Sequence, residues 1–436
     1  MIRAVNLGLL FALVAGCSSS GGNGSGSGGA GSNPTAGRGG NAATAGTAGT
    51  GASGGKAPTA GAGPSAGSGG TEPNPSPEAC VTPNEYRNLL VELLGKTQAE
   101  VDAKLSAGFQ SLFHGGAQET IYYQSGTDEA YILDVNNQDV RSEGMSYGMM
   151  VAVQLDKQAE FDRLWQWAKS HTQQSNGYFA WQTSASGQVM STAAAPDGEE
   201  YFATALLFAS HRWTTGKHDY AGDALKLLDA LRRNGAFNES PPVVKFLTSA
   251  RYSDPSYVLP AFYQAWACFD EKNRAFWLQA VESGRSLLQN AAHDETGLAP
   301  YLSNFDGTPH SNGPNFNSDA WRVVGNVMMD HHFFGADPWQ VTFADTYAKF
   351  FQKTWASSPN AYEFALSGNV LQSSNGRPRG LVAMNSLVAF AASKELAEPA
   401  LQALWDLPLP TGQYRYYDGM LYLFALLHAS GSYRLY

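Results

Sequence analysis

Apolar residues recur at spacings of three and four along most of the chain from residue 83 onward, with polar residues between them. This is the period of an amphipathic α-helix, which packs one face on a core and turns the other to water. Thirteen segments have the pattern. They predict helices at 83–94, 98–113, 142–155, 158–171, 199–214, 219–233, 257–270, 273–290, 319–334, 338–356, 379–392, 394–405 and 418–430.

Alternating apolar and polar positions, the pattern of a half-buried β-strand, are short and few. They predict strands at 120–123, 130–135 and 178–181. The domain is therefore predicted to be nearly all-α. About twelve helices in one unit suit six helical hairpins closed into a toroid, an (α/α)6 barrel. Since no internal repeat is strong, an irregular helical array stays open as the alternative.

The first seventeen residues have the features of a bacterial export signal. Arg3 gives a positive start, and the apolar run 7–14 is far shorter than the roughly 20 residues of a membrane-spanning helix. The run ends in Val-Ala-Gly-Cys, which resembles a lipobox with Cys17 as the lipidated residue. We expect an exported, lipid-anchored protein of the cell surface or outer membrane. An ordinary secretory signal and a secreted protein are the alternative.

A leader of unusual composition follows the signal. Residues 18–78 are mostly Gly, Ser, Ala, Thr and Pro, and they contain no Trp or Tyr. Such a segment buries too little surface to offset the entropy of ordering, so it is predicted to be a disordered linker. The ten Trp and twenty Tyr all lie in residues 79–436, which are predicted to form one catalytic domain.

Charge limits the binding partners of the domain, and cysteine content limits its disulfides. Residues 79–436 hold 25 Lys and Arg against 36 Asp and Glu, so they would repel a phosphate backbone and nucleic acid is excluded as a partner. Cys80 and Cys268 are either free or joined in one disulfide, and a buried free thiol at Cys268 is favoured by the apolar run around it. We expect a monomer.

Three carboxylate clusters lie at predicted helix starts. Glu143 follows Ser142, Asp197 begins a run with two glutamates, and Asp319 lies three residues before Arg322. From spacing alone, N-terminal capping explains the first two and an i,i+3 surface ion pair explains the third. Residues of the same types also serve as acid and base in catalysis.

Five blocks carry a resemblance to glycoside hydrolase family 8. The stretch 195–213, A-P-D-G-E-E-Y-F-A-T-A-L-L-F-A-S-H-R-W, is similar to the family signature, but it departs at Pro196, where a hydroxyl residue is usual, and at Glu199, where Asp is usual. Four other blocks resemble the branch of reducing-end xylose-releasing exo-oligoxylanases: D-V-R-S-E-G-M-S-Y-G-M-M (139–150), D-P-S-Y (254–257), S-D-A-W-R (318–322) and R-Y-Y-D-G (415–419). The resemblance covers about residues 85–433.

The resemblance implies the (α/α)6 fold and an inverting hydrolysis of β-1,4-linked xylooligosaccharides. It implies that Glu143 is the general acid, kept protonated by burial and by nearby carboxylates, and that Asp319 is the general base, kept charged by Arg322. An inverting pair stands about 6.5–9.5 Å apart to admit a water molecule. The implied substrate-binding residues are Asp197 at the cleavage point, Tyr257 beside the water, Arg322 against the base, and Trp181 as a platform for a sugar ring.

Three alternatives remain beside the leading function. Another specificity of the family would be an endo-acting xylanase, a β-1,4-glucanase or a chitosanase, and the loop 407–417 is expected to influence that choice. A sugar-binding surface lipoprotein without turnover is possible, although the pair of Glu143 and Asp319 argues against it. Metal catalysis through His331 and His332 is disfavoured, because adjacent helical residues point to different sides. No metal or other cofactor is expected.

Overall fold

The computed structural model of the protein describes residues 86–335 and 337–436. Thirteen α-helices lie within these residues. They are α1 (Leu89–Glu92), α2 (Gln98–His114), α3 (Ser142–Gln154), α4 (Gln158–His171), α5 (Pro196–Arg212), α6 (Tyr220–Arg233), α7 (Pro260–Phe269), α8 (Arg274–Ala291), α9 (Val323–Phe334), α10 (Trp339–Ser357), α11 (Arg379–Asn385), α12 (Lys394–Asp406) and α13 (Arg415–Ala429).

Six of the helices form a closed inner ring. In order around the ring, α3 packs on α5, α5 on α7, α7 on α9, α9 on α11, α11 on α13, and α13 returns to α3. A second layer of helices lies outside them, with α4 on α3, α6 on α5, α8 on α7, α10 on α9, α12 on α11 and α2 on α13. The predicted (α/α)6 barrel is confirmed.

Loop lengths give the two ends of the barrel different characters. Each inner helix from α3 to α9 is joined to the following outer helix by a segment of three to seven residues. Such short connections make antiparallel hairpins. The segments that lead from an outer helix to the next inner helix are longer, for example 172–195 and 234–259. The inner helices therefore begin at one common end, and that end is built from the long segments.

Inner and outer helices differ in burial as their positions require. Twelve of the thirteen residues of α3 are buried, and α5 is buried from Pro196 to Ala209, because both helices are surrounded by other helices. The outer helix α6 buries one face only and is capped by the Asp219 side chain, which accepts a hydrogen bond from the Gly222 amide. The apolar periodicity of the sequence thus reports the outer helices more clearly than the inner ones.

Short strands lie within the long segments. There are two hairpins, one of β1 (Tyr122–Ser125) with β2 (Glu129–Ile132) and one of β6 (Ala361–Phe364) with β7 (Val370–Ser373). A three-stranded sheet consists of β3 (Val140–Arg141), β4 (Gln182–Thr183) and β5 (Val189–Ser191). The strand expected at 178–181 is reduced to a single antiparallel bridge between Phe179 and Gln173, and β4 begins at Gln182. The Phe179 amide bonds to the Glu199 side chain.

Several helices begin or end away from their predicted bounds. The helix expected at 257–270 begins at Pro260, after a 3-10 turn at Pro255–Tyr257, because proline lacks an amide hydrogen and suits a helix start. A second 3-10 turn, Asp319–Arg322, precedes α9, and a third, Ser386–Phe390, follows α11. In the described part of the predicted helix 83–94, only Leu89–Glu92 is helical.

Some predictions concern other parts of the chain. The signal peptide 1–17 with Cys17, the linker 18–78, Cys80 and the start of the domain at residue 79 all lie outside the described residues. Within them, Cys268 is buried with a free thiol, as the sequence favoured. None of the described helices is long and apolar enough to cross a membrane.

Candidate active site

The predicted acidic residues meet at the end of the barrel where the inner helices begin. Glu143 lies in the first turn of α3 and Asp197 in the first turn of α5. Tyr257 and Asp319 lie in the 3-10 turns that precede α7 and α9, and Tyr416 lies in the first turn of α13. Helix starts carry partial positive charge and free amides, so a ring of them favours negatively charged groups.

Arg322 lies at the centre of the cluster and is 4 % exposed. Its Nη1 atom donates to Glu143 Oε2 at 2.9 Å, to Asp197 Oδ2 at 3.1 Å and to the Tyr147 hydroxyl at 2.6 Å. Its Nη2 atom donates to Ser256 Oγ at 2.8 Å. One guanidinium therefore holds groups from α3, α5 and the turn before α7 in a fixed arrangement.

The ion pair between Arg322 and Asp319 is looser than those with the other carboxylates. Its Nη2 to Oδ1 distance is 3.6 Å, whereas Glu143 and Asp197 approach Nη1 within hydrogen-bond distance. The expected contact of Arg322 with Asp319 is present, and Glu143 and Asp197 are additional partners. Because residues 319–322 form a tight 3-10 turn, Arg322 Nε bends back to the Asp319 carbonyl oxygen at 3.4 Å and its outer nitrogens reach across the barrel.

Glu143 is held at both carboxylate oxygens. Oε2 accepts from Arg322, and Oε1 accepts from the Tyr416 hydroxyl at 2.9 Å. Gly144 makes the second contact possible, since a Cβ atom there would lie 2.5 Å from the Tyr416 ring. The Glu143 side chain keeps 17 % of its surface exposed, so it is fixed but accessible from the open end of the barrel.

Asp197 lies deeper, where α5 approaches α3. Its Oδ1 accepts from the Gly198 amide at 2.9 Å and its Oδ2 from Arg322. A Cβ atom on Gly198 would lie 2.6 Å from Ser142 Oγ, so glycine allows the two helices to begin side by side. Burial, together with the charge of Glu143, raises the pKa of Asp197 to about 7 although Arg322 opposes the shift.

Asp319 has a pKa above its ordinary value as well. Burial is the largest cause of the raised pKa, the positive charge of Arg322 lowers it, and the charge of Glu143 raises it again. Arg322 thus favours the charged form of Asp319, as the sequence indicated, but desolvation raises the pKa by more than Arg322 lowers it. A carboxylate with a raised pKa is a stronger base, which suits the activation of water.

Buried charge is shared within the cluster. The pKa values of Asp197 and Asp319 are raised, and the role of Glu143 as the protonated acid stays a prediction. Three carboxyl groups surround one guanidinium, so full ionisation would leave buried negative charge uncompensated. Asp197 is the least exposed of the three, and its pKa of about 7 allows it to hold a proton near neutral pH.

Tyr257 and Trp181 border the cluster on two sides. The Arg322 guanidinium carbon lies 5.5 Å from the centre of the Tyr257 ring, and Phe246 stacks on that ring at 5.9 Å. Trp181 precedes β4, and its carbonyl oxygen accepts from the amide of Ser142, the residue before Glu143. Both predicted binding residues thus adjoin the predicted catalytic ones.

Sequence reasoning missed several residues that complete the cluster. Tyr147 lies one turn after Glu143, and the Tyr417 hydroxyl donates to the Ser318 carbonyl at 2.8 Å, next to Asp319. Arg141 bonds to Asp139 at 3.0 Å and lies 5.7 Å from the Trp181 ring. The blocks at 139–150 and 415–419 contain all of these residues, but a block does not reveal which side chain points inward.

His331 and His332 lie in the last turn of α9, at the opposite end of that helix from Arg322. The described residues contain no group of three histidine, cysteine or acidic side chains arranged to hold a metal ion.

The arrangement of these groups suits acid and base catalysis on a neutral substrate. Glu143 and Asp319 approach different nitrogens of Arg322, from separate helices, and both retain some exposure. Two carboxyl groups with aromatic rings beside them are the groups that hydrolysis of a glycosidic bond by inversion uses.

Comparisons with known proteins agree with this chemistry. The family described as "Glycosyl hydrolases family 8" matches residues 127–431. The reducing-end xylose-releasing exo-oligoxylanase Rex8A of Paenibacillus barcinonensis is 41 % identical over 370 residues, covering 80 % of this chain and 97 % of that protein. A xylobiose complex of a relative from Teredinibacter turnerae matches with a TM-score of 0.77 at 40 % identity, over 80 % of this chain and 98 % of the other. Endoglucanase 2 of Ruminiclostridium josui is 28 % identical over 68 % of this chain and 65 % of its own length.

Proposed function

The chain belongs to glycosyl hydrolase family 8, an inverting family, and we propose that it hydrolyses β-1,4-linked xylooligosaccharides and releases xylose from their reducing ends. The observation that carries the substrate is the identity of 41 % to an exo-oligoxylanase over 97 % of that protein's length. The match extends through every segment that supplies a residue of the described cluster.

In the proposed reaction Glu143 donates a proton to the oxygen of the leaving sugar. The Tyr416 hydroxyl and Arg322 fix both oxygens of its carboxyl group, so the donor is oriented before the substrate binds. Fixed geometry of this kind lowers the entropy cost of reaching the transition state. Asp197, a second carboxyl group, is bonded to the same nitrogen of Arg322.

Asp319 removes a proton from the attacking water on the opposite face of the sugar. Its raised pKa makes it a better proton acceptor than an exposed aspartate. The water attacks the anomeric carbon as the bond to the leaving oxygen breaks, so the configuration at that carbon inverts. Asp197 and Tyr257 would grip the sugar at the cleavage point, and the Trp181 ring would stack on a neighbouring sugar.

An endo-acting β-1,4-glucanase is the second candidate, favoured by the similarity to endoglucanase 2. Product analysis separates the two. Xylohexaose should give xylose and xylopentaose first, whereas cellohexaose and chitosan oligomers should remain intact. A ladder of intermediate sizes from xylohexaose, or faster cleavage of cellohexaose, would contradict the proposal.

The catalytic assignment is tested by Glu143→Gln. The amide keeps the shape of the side chain but has no proton to donate, so turnover should fall by about 10²–10⁴-fold while xylooligosaccharide binding persists. Tyr123→Phe, which alters a tyrosine outside the cluster, is the matched control. Activity of Glu143→Gln above about a tenth of the wild-type value would exclude Glu143 as the acid.

We also propose that the protein is exported and anchored to a membrane by lipid on Cys17, with the catalytic domain on a flexible linker. The lipobox-like Val-Ala-Gly-Cys and the composition of 18–78 support this. Cys17→Ser should release the protein from the membrane fraction, and a chain beginning near residue 79 should fold and keep full activity as a monomer. Retention of Cys17→Ser in membranes would contradict the anchor.

A further inference from the structure

Asp254 is a buried carboxyl group with no role in the proposed reaction. It lies immediately before the 3-10 turn Pro255–Tyr257 and is fully buried. Its Oδ1 accepts a hydrogen bond from the Ser256 amide at 2.7 Å. Its Oδ2 is buried and has no hydrogen-bond partner among the described residues. A buried polar atom without a partner is costly, so its presence calls for a physical explanation.

The bond from Ser256 to Asp254 fixes a turn that faces Arg322. Ser256 Oγ accepts from Arg322 Nη2, and the Ser256 carbonyl oxygen accepts from Asn326 Nδ2 at 2.8 Å. The next residue, Tyr257, places its ring beside the guanidinium. Asp254 thereby determines where two contacts of Arg322 lie.

The charges around Asp254 disfavour its ionised form. Arg322 is the nearby cation, but its Nη atoms are directed at Glu143, Asp197, Asp319, Tyr147 and Ser256. Asp254 accepts a hydrogen bond from one amide and pairs with no cation among residues 86–335 and 337–436. A fully buried carboxylate in such surroundings is much more stable as the neutral acid. The other titratable groups whose charges influence Asp254 or respond to it are Asp319, Tyr257, Tyr301 and Tyr417.

We propose that Asp254 is a positioning residue that works as a neutral carboxylic acid, so that Asp319 carries the negative charge on the water side of the site. The proposal rests on the proposed function only in naming Asp319 as the base. Its Oδ1 caps the turn, and its Oδ2 carries the proton. If Asp254 were ionised, a second negative charge near Asp319 would compete for Arg322 and distort the cluster.

Electrostatics agrees with this assignment. Burial raises the pKa of Asp254 well above its ordinary value, and the charge of Asp319 raises it further, while Arg322 and the Ser256 amide lower it. A folded-state pKa above the unfolded one means that the folded protein binds the proton more tightly. The resulting stability is complete below the unfolded pKa of about 3.9 and is lost as the pH rises through the folded pKa.

Asp254→Asn is the decisive variant, because an amide keeps the capping oxygen and imitates a neutral acid. Its kcat on xylohexaose at neutral pH should stay within about threefold of the wild type, whereas Asp254→Ala should lose at least about tenfold because the turn is uncapped. Asp254→Ser, a capping residue that does not titrate, is a second variant in case the amide disturbs folding.

Thermal midpoints measured from pH 5 to 9 test the protonation state without any substrate. Relative to the wild type, Asp254→Asn and Asp254→Ser should gain stability steadily as the pH rises. The control Asp306→Asn, at an exposed aspartate with a lowered pKa, should run parallel to the wild type over this range.

Three results would overturn the proposal. Parallel pH dependences of the wild type and Asp254→Asn would show that Asp254 is not a neutral acid. A loss of more than about 100-fold in the kcat of Asp254→Asn would show that an ionised carboxylate takes part in the reaction. Full activity of Asp254→Ala would exclude positioning. If instead the wild type failed to cleave xylooligosaccharides, the proposed function would fail while the pH test of Asp254 remained valid.

Discussion

Replacing Arg322 by Gln removes the positive charge that three carboxyl groups share. Arg322 is bonded to Glu143 and Asp197 and paired more loosely with Asp319. Gln keeps a polar side chain but brings no charge and fewer donors. We expect the variant to fold with a weakened cluster and to lose nearly all activity, because neither the acid nor the base would keep its position.

The loss of stability should depend strongly on pH. Removing one partner of a buried ion pair costs about 3–5 kcal/mol, because the other charge is left uncompensated. Arg322 lowers the pKa values of both Asp197 and Asp319, so its removal raises them in the folded protein while the unfolded values stay near 4. A carboxyl group with a raised folded pKa stabilises the folded protein fully below about pH 4, and this contribution is lost as the pH rises through the folded pKa. Each carboxyl contributes up to about 1.4 kcal/mol per pH unit.

Urea unfolding of the wild type and Arg322→Gln at pH 5 and pH 8 measures this effect. The difference in unfolding free energy should be several times larger at pH 8. Arg285→Gln is the control, because Arg285 bonds to a single buried carboxylate, Asp330, at 2.8 and 2.9 Å outside the site. It should show a smaller change with pH. Equal differences at the two pH values for Arg322→Gln would refute the view that Arg322 compensates several carboxyls.

Two further predictions concern contacts at the two ends of the barrel. Gly144→Ala and Tyr416→Phe should lower kcat by similar amounts, because both remove the hydrogen bond from Tyr416 to Glu143. Hydrogen bonds to charged groups contribute about 1.5–3 kcal/mol, so the loss should be roughly tenfold or more. Full activity of either variant in steady-state assays would contradict this. Burial lowers the pKa values of His428 and His332, so both histidines are neutral in the folded protein and should cost stability as the pH falls below about 6.5. His428→Phe should therefore show a smaller fall in thermal midpoint between pH 6.5 and 4.5 than the wild type. An equally steep fall would contradict this.

Periodicity predicted most of the helices because the barrel repeats one simple unit. Outer helices such as α4 and α6 meet water on one face, and their predicted and observed bounds agree within a residue. The inner helices α5 and α7 are buried on nearly all sides, so their starts depend on prolines and turns and were misplaced by three residues. The hairpin of β6 and β7 was missed, because β7 is exposed on both faces and has no alternation to detect.

The sequence predicted which residues form the candidate site but not which hydrogen bonds and ion pairs they make. The resemblance pointed to Glu143, Asp197 and Asp319, and the structure brings them together at one guanidinium. The partner choice of Arg322 could not be predicted, since it depends on side chains from three different helices. For the same reason, desolvation of Asp319 and the Tyr416 bond to Glu143 have no signal in spacing.

The stereochemistry of the first product tests the central claim most directly. If Asp319 activates water on the face opposite Glu143, hydrolysis of a β-linked xylooligosaccharide must release a new reducing end in the α-configuration. Proton NMR of the anomeric region, recorded before mutarotation, measures this for the wild type. We predict that the α-anomer appears first. An initial β-anomer would mean that Asp319 acts as a nucleophile about 5–5.5 Å from Glu143, and it would contradict the general-base mechanism.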